Sequence, residues 1–132
     1  FKPGNHGSTF GGNPLAMTAV VATIDTMKEE ALLANAARVG EVIRAGISQI
    51  QGISEVRGMG LMIGVELAAP CGELVRQALD AGLVINVTAD NVVRLLPPLV
   101  MSEAEGRMVV ERLAPLVRAF VERSSQATAA AR

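Results

Sequence analysis

The sequence predicts an α/β fold of the α+β kind, with helices laid over one small mixed or antiparallel sheet, and three observations predict it. Apolar residues recur at helical spacing in four separate stretches. Between these stand short apolar runs of strand length, bounded by glycine, proline or polar turns. Half of the 132 residues are apolar and 19% are charged, so the chain has the length and the material for a core. No internal repeat points to a solenoid.

The first helix is expected over residues 14–30, PLAMTAVVATIDTMKEE. Asn13 is a good N-cap, and Pro14 suits the first helical position. Leu15, Ala19, Ala22 and Thr26 share a flank that Val20, Ile24 and Met27 widen. A second helix is expected over 32–51, with Leu33, Ala37, Ile43, Ile47 and Ile50 inward and Gly52 ending it. Gly40 and Gly46 weaken its middle, each costing about 1 kcal/mol against Ala.

A short strand over 53–56 is followed by a turn at Arg57-Gly58-Met59-Gly60, and Leu61–Leu67 reads as a strand buried on both sides. Residues 73–81 read as a helix with Leu74, Ala78 and Leu79 inward and Gly82 past its end. Two further strands are expected over 83–87 and 92–96, the second stopped by Pro97-Pro98. Ser102 and Glu105 frame a capping box for the last helix. Its apolar face comprises Met108, Val109, Leu113, Leu116, Val117, Phe120 and Val121, and Pro115 should kink it. Residues 124–132 are polar and Ala-rich and are expected to form a disordered tail.

Composition excludes several function classes. The formal net charge is −1 and the pI about 5.8. Ten of the twelve basic residues are Arg, but they are scattered and form no basic stripe. The three aromatic residues are all Phe, so base-stacking platforms are lacking and nucleic-acid binding is not expected. With Cys71 alone there is no internal disulfide, and one Cys and one His make a zinc site within the chain improbable. No apolar run reaches the length of a membrane span. Phe1-Lys2-Pro3-Gly4 is no signal peptide and does not begin with Met, so the chain is expected to start in mid-protein and to work in the cytoplasm. Without a secretory signal, the Asn86-Val87-Thr88 triplet carries no weight as a glycosylation site.

The densest chemistry lies in residues 6–14, where an imidazole, two hydroxyls, three glycines and a helix start fall within nine residues. Glycines let backbone N–H groups approach a ligand, and consecutive N–H groups in such turns cradle anions. Ser8 and Thr9 add hydroxyl donors, and the following helix N-terminus adds partial positive charge. A phosphate is one occupant this chemistry suits; an ordinary loop-to-helix junction is the other reading. Neither the P-loop nor the dinucleotide fingerprint is present.

HGSTFGGNPLA, Arg57 to Leu67 (RGMGLMIGVEL) and Asn91 to Leu99 (NVVRLLPPL) occur in that order. Together they resemble the segments that follow the catalytic lysine in class III pyridoxal-phosphate aminotransferases. The likeness runs from Gly4 to about Val121, and Ile85-Asn86-Val87-Thr88 brings it nearest to the acetylornithine aminotransferases in that family. The resemblance implies the C-terminal portion of a fold-type I transferase. Residues 1–30 would then end the large pyridoxal-phosphate domain, and residues 31–123 would form the small C-terminal domain.

The resemblance also implies roles. Thr9 matches a threonine that binds the phosphate of pyridoxal 5'-phosphate in the neighbouring subunit, which implies a homodimer. Ser8 would lie at the substrate end of the same site. Arg94 matches an arginine that grips the substrate's α-carboxylate. Read from the residues alone, Thr9 also suits a turn or cap, Ser8 a solvated loop, and Arg94 an edge strand facing water. His6 reads as structural, Arg57 as a turn anchor, Glu66 as a rim carboxylate and Cys71 as a loop cysteine. The family's Schiff-base lysine has no counterpart here. Lys2 precedes the loop at a place where the family has none, and Lys28 sits beside Glu29 and Glu30 as a solvated helix residue.

The implied function is transfer of the δ-amino group of N-acetylornithine to 2-oxoglutarate, a step of arginine biosynthesis, with the fragment alone inactive. The alternatives are an ornithine, succinylornithine or 4-aminobutyrate aminotransferase, or a non-catalytic module for anion binding or dimerisation.

Overall fold

A computed structural model of the chain describes residues 2–130 and separates them into two compact units, one ending at Leu32 and one beginning at Leu33. The sequence places a domain boundary two residues earlier, after residue 30.

The first unit holds the glycine-rich loop and α1 (Pro14–Glu29). Asn13 caps α1 as its residue type dictates, with an extended backbone and its side-chain oxygen accepting the Ala16 N–H at 3.0 Å. No residue of α1 is buried; Leu15 is 82% exposed and Val21 58%.

The second unit takes up α2 (Leu32–Ser48) from its second residue, and this helix precedes a hairpin of β1 (Ile53–Met59) and β2 (Met62–Leu67). Then follow α3 (Glu73–Asp80), β3 (Asn86–Thr88), β4 (Val92–Leu95) and α4 (Glu103–Ala130). The four strands form one antiparallel sheet in the order β1-β2-β4-β3. Ile63, Val65 and Leu67 of β2 and Val93 and Leu95 of β4 alternate onto the face that the helices cover. Ile43 and Ile47 of α2, Leu74 of α3, and Leu113 and Val117 of α4 meet them there, all fully buried.

Several elements differ from the sequence reading, each for a local reason. The turn expected at residues 57–60 is strand as far as Met59, and the reversal is a two-residue loop, Gly60-Leu61, with Met59 facing Met62. Gly60 has φ +53, which such a tight hairpin demands of its first loop residue. Strand β2 is half-exposed rather than buried on both sides, because the helices of this unit cover one face of its sheet. Strand β3 starts at Asn86 and not at residue 83. The Leu83 N–H instead closes α3 by donating to the Ala78 carbonyl at 2.8 Å, while the Gly82 N–H donates to Leu79 at 2.9 Å. This pairing, with φ +72 at Gly82, is a Schellman ending.

Helix α2 ends at Ser48, and its inward stripe runs through Ala36, Val39, Ile43 and Ile47; Leu33 is 69% exposed. Among the apolar residues expected inward on α4, Met108 is 45% exposed. Helix α4 continues across Pro115, whose missing N–H leaves the Glu111 carbonyl without its intrahelical partner. It also runs to Ala130, through most of the stretch read as a disordered tail; residues 131 and 132 lie outside the described residues. At its start the Ser102 N–H donates to Glu105 Oε2 at 2.7 Å, and the Glu105 N–H donates to Ser102 Oγ at 3.2 Å. The first of these bonds holds the Glu105 carboxyl below its usual pKa.

Candidate functional site

The loop of the first unit is ordered by its own polar side chains. The Gly11 N–H donates to Ser8 Oγ at 2.8 Å, and Asn13 Nδ2 donates to the Phe10 carbonyl at 2.7 Å. Gly12 between them has φ +79. Ser8 therefore spends an acceptor lone pair inside the loop and keeps its O–H for an outside partner. Thr9 is exposed, and its hydroxyl has no hydrogen-bond partner among the described residues. A donor of this kind beside a helix N-terminus fits a phosphate oxygen. His6 is exposed two residues ahead of Ser8. Lys2 and Lys28 are exposed as well.

Arg94 belongs to the second unit. Its strand reads buried, buried, exposed, buried from Val92 to Leu95, so the guanidinium leaves by the face opposite the one that this unit's helices cover. Its charge is thus kept in water and needs no buried counter-ion. Register places one row of residues across that face: Arg57 opposite Gly64, Gly64 opposite Arg94, and Arg94 opposite Asn86.

The two arginines of the row are treated differently. Arg57 Nη1 donates to Glu66 Oε2 at 2.6 Å and to Glu55 Oε2 at 2.7 Å. These bonds, Glu66's first, raise its pKa above the usual arginine value. Arg57 is thus part of an ion-pair cluster on β1 and β2 rather than a turn anchor, and Glu66 is its partner. Arg94 Nε donates at 3.0 Å to Asn86 Oδ1, a neutral amide, and Arg94 has no carboxylate partner among the described residues. The sequence reading gave Asn86 no role at the site, taking it as part of a glycosylation triplet and of the family-like Ile85–Thr88 segment. The available signal was the hairpin count, which pairs residue 86 with 94 once Thr88 is set opposite Val92.

Cys71 sits in a loop yet is fully buried, with its N–H donating to the Asp90 carbonyl at 2.8 Å. Burial pushes its thiol pKa up, so thiolate is scarce at neutral pH. We expect iodoacetamide at pH 8 to leave Cys71 unmodified in the native protein and to alkylate it fully once urea unfolds the chain. Mass spectrometry reads the difference, and rapid native labelling would contradict the burial. Among the described residues there is no group of three or more His, Cys, Asp or Glu able to hold a metal ion. No helix among them is long and apolar enough to cross a membrane.

Comparison with known proteins adds what geometry alone does not supply. The chain is 51% identical over 125 residues to acetylornithine aminotransferase 1 of Bordetella bronchiseptica, an alignment that covers 92% of this chain and 32% of that protein. The solved ornithine aminotransferase of Toxoplasma gondii ME49 superposes with a TM-score of 0.79 at 34% identity, over 93% of this chain and 31% of that one. An acetylornithine aminotransferase from Elizabethkingia anophelis does so with a TM-score of 0.74, also at 34% identity, over 87% of this chain and 31% of that one. The chain thus spans about a third of the length of the relatives it matches. The sequence model of the family described as aminotransferase class-III matches residues 1–117, and the chain belongs to that family.

Proposed function

We propose that this chain forms part of a pyridoxal 5'-phosphate-dependent transaminase that moves the δ-amino group of N-acetylornithine to 2-oxoglutarate, in the cytoplasm and in the service of arginine biosynthesis. The observation that carries this reading is Arg94: a guanidinium on the open sheet face, steadied by a neutral amide, with no carboxylate of its own among the described residues. Both proposed substrates bring a carboxylate, which a planar fork of N–H donors grips with two parallel hydrogen bonds.

Thr9 is assigned the cofactor phosphate of the neighbouring subunit in a homodimer. Its unpartnered hydroxyl supports that role, as does its position just ahead of the α1 N-terminus. Ser8 is assigned to the substrate end, where its O–H remains free to donate. The electron sink needed for amino transfer is supplied by pyridoxal 5'-phosphate when it is bound. A Schiff-base lysine would come from the remainder of the polypeptide, since Lys2 and Lys28 are solvated residues outside the matching motif.

Two assays test the proposal together. The purified 132-residue chain should show no turnover, whereas the complete polypeptide should transfer the amino group of N-acetylornithine to 2-oxoglutarate faster than that of ornithine or 4-aminobutyrate. Turnover by the 132-residue chain sinks the assignment of the lysine, and a complete protein that prefers ornithine sinks the assignment of the donor. The likeness to the Toxoplasma ornithine aminotransferase makes ornithine the competitor to include.

A further inference from the structure

The structure assigns to Asn86 the task of aiming the Arg94 guanidinium, by occupying its Nε–H so that both Nη groups point outward to a carboxylate. This rests on the reading of Arg94 as the carboxylate-binding residue and adds a positioning residue to it. Four observations carry it. Asn86 and Arg94 are register partners on β3 and β4, so their side chains leave the same face side by side. The bond between them uses Nε, at 3.0 Å. A guanidinium has five N–H donors, so four remain, two on each Nη, and an incoming carboxylate meets that end of the fork. The acceptor is neutral, so the positive charge stays available to a ligand.

The rest of the row keeps competitors away. Adjacent strands lie about 4.8 Å apart, so Arg57 and Arg94 stand roughly 10 Å from one another with only Gly64 between them. Gly64 offers no side chain to fill that gap, and a Cβ there would meet Val92 Cγ1 at 3.3 Å. The nearby carboxylates Glu55 and Glu66 are both committed to Arg57 Nη1. The face thus holds one arginine that is neutralised and one that is oriented but left charged. An aspartate at position 86 would keep the geometry and cancel the charge, which makes the amide the informative feature.

The test uses the complete polypeptide with its cofactor and, as probe, glutarate, an unreactive dicarboxylate titrated by calorimetry. Arg94→Gln serves as the reference and should weaken glutarate binding at least about tenfold, the scale of charge-assisted hydrogen bonds. Asn86→Asp should weaken it by a similar factor, because its carboxylate occupies and neutralises the guanidinium. Asn86→Ala should weaken it about three- to tenfold, as expected for one lost orienting bond. In turnover, both Asn86 variants should raise KM for carboxylate-bearing donors while kcat stays within about twofold, and should leave an amine donor lacking a carboxylate unaffected; a merely structural role would move both donors alike. If Arg94→Gln weakens glutarate while both Asn86 variants bind it as wild type, the positioning role is overturned and the role of Arg94 stands. If Arg94→Gln itself binds glutarate as wild type, the reading of Arg94 fails and takes this inference with it.

Discussion

Replacing Arg94 by Gln in the complete enzyme is expected to lower kcat/KM for N-acetylornithine by about 10²- to 10³-fold, or roughly 3–4 kcal/mol at 1.4 kcal/mol per decade. The size follows from the geometry. The two Nη groups would make two charge-assisted bonds to a carboxylate, and Gln can offer a single neutral N–H₂ from a shorter stem. The effect should fall mainly on KM, since a carboxylate remote from the reacting amine is held alike in the ground state and the transition state. The fold should be untouched, because Arg94 is solvent-facing and its one side-chain partner among the described residues is a surface amide with which Gln can still bond. Arg94→Lys should recover only part of the loss, as a point charge lacks the planar fork. Steady-state kinetics with N-acetylornithine and 2-oxoglutarate checks this. A KM within twofold of wild type for both substrates would remove Arg94 from the site.

Much of this was legible in the sequence, and the reasons differ by element. The starts of α1 and α4 were readable because capping is local: Asn13 with Pro14, and Ser102 with Glu105, act within three or four residues. The β1–β2 hairpin was misplaced by three residues because its reversal depends on which strand residues pair, a long-range choice that Gly58 and Gly60 left ambiguous. The burial of β2 was overread for a related reason. A run such as Leu61–Leu67 is apolar enough for two covered faces, but Glu66 in it is a partner for Arg57, and the two meet only once β1 lies alongside. The motifs around Thr9 and Arg94 were visible as strings. What the string could not show is that a sheet register sets Asn86 beside Arg94, and that Glu55 and Glu66 engage the other arginine of the row.

The glycines of α2 lead to the second large effect, one of opposite sign to what helix propensity predicts. Gly40→Ala, placed in a helix interior, should by propensity alone stabilise the protein by about 1 kcal/mol. A Cβ at Gly40, however, would run into the Gly60 carbonyl oxygen, with the Gly60 carbonyl carbon at 2.6 Å and its Cα at 3.2 Å. Those atoms are backbone, fixed by the two-residue hairpin loop, whose second residue, Leu61, is buried in the core. Relief requires the whole β1–β2 tip to lift from α2, and the cost should reach about 2–4 kcal/mol, the upper range for forced overpacking. Gly46→Ala is the instructive comparison. The nearest atoms to its Cβ would be those of the Val110 side chain, the methyls at 2.7 and 2.9 Å and Cβ at 3.3 Å, and a side chain on α4 can turn or shift where a backbone carbonyl cannot. Urea unfolding should therefore rank the variants with Gly40→Ala well below Gly46→Ala, and with m-values unchanged for both. An equal or raised midpoint for Gly40→Ala would mean that the hairpin tip is not seated on α2. The glycine would then be a neutral residue in the helix rather than the contact that lets sheet and helix approach.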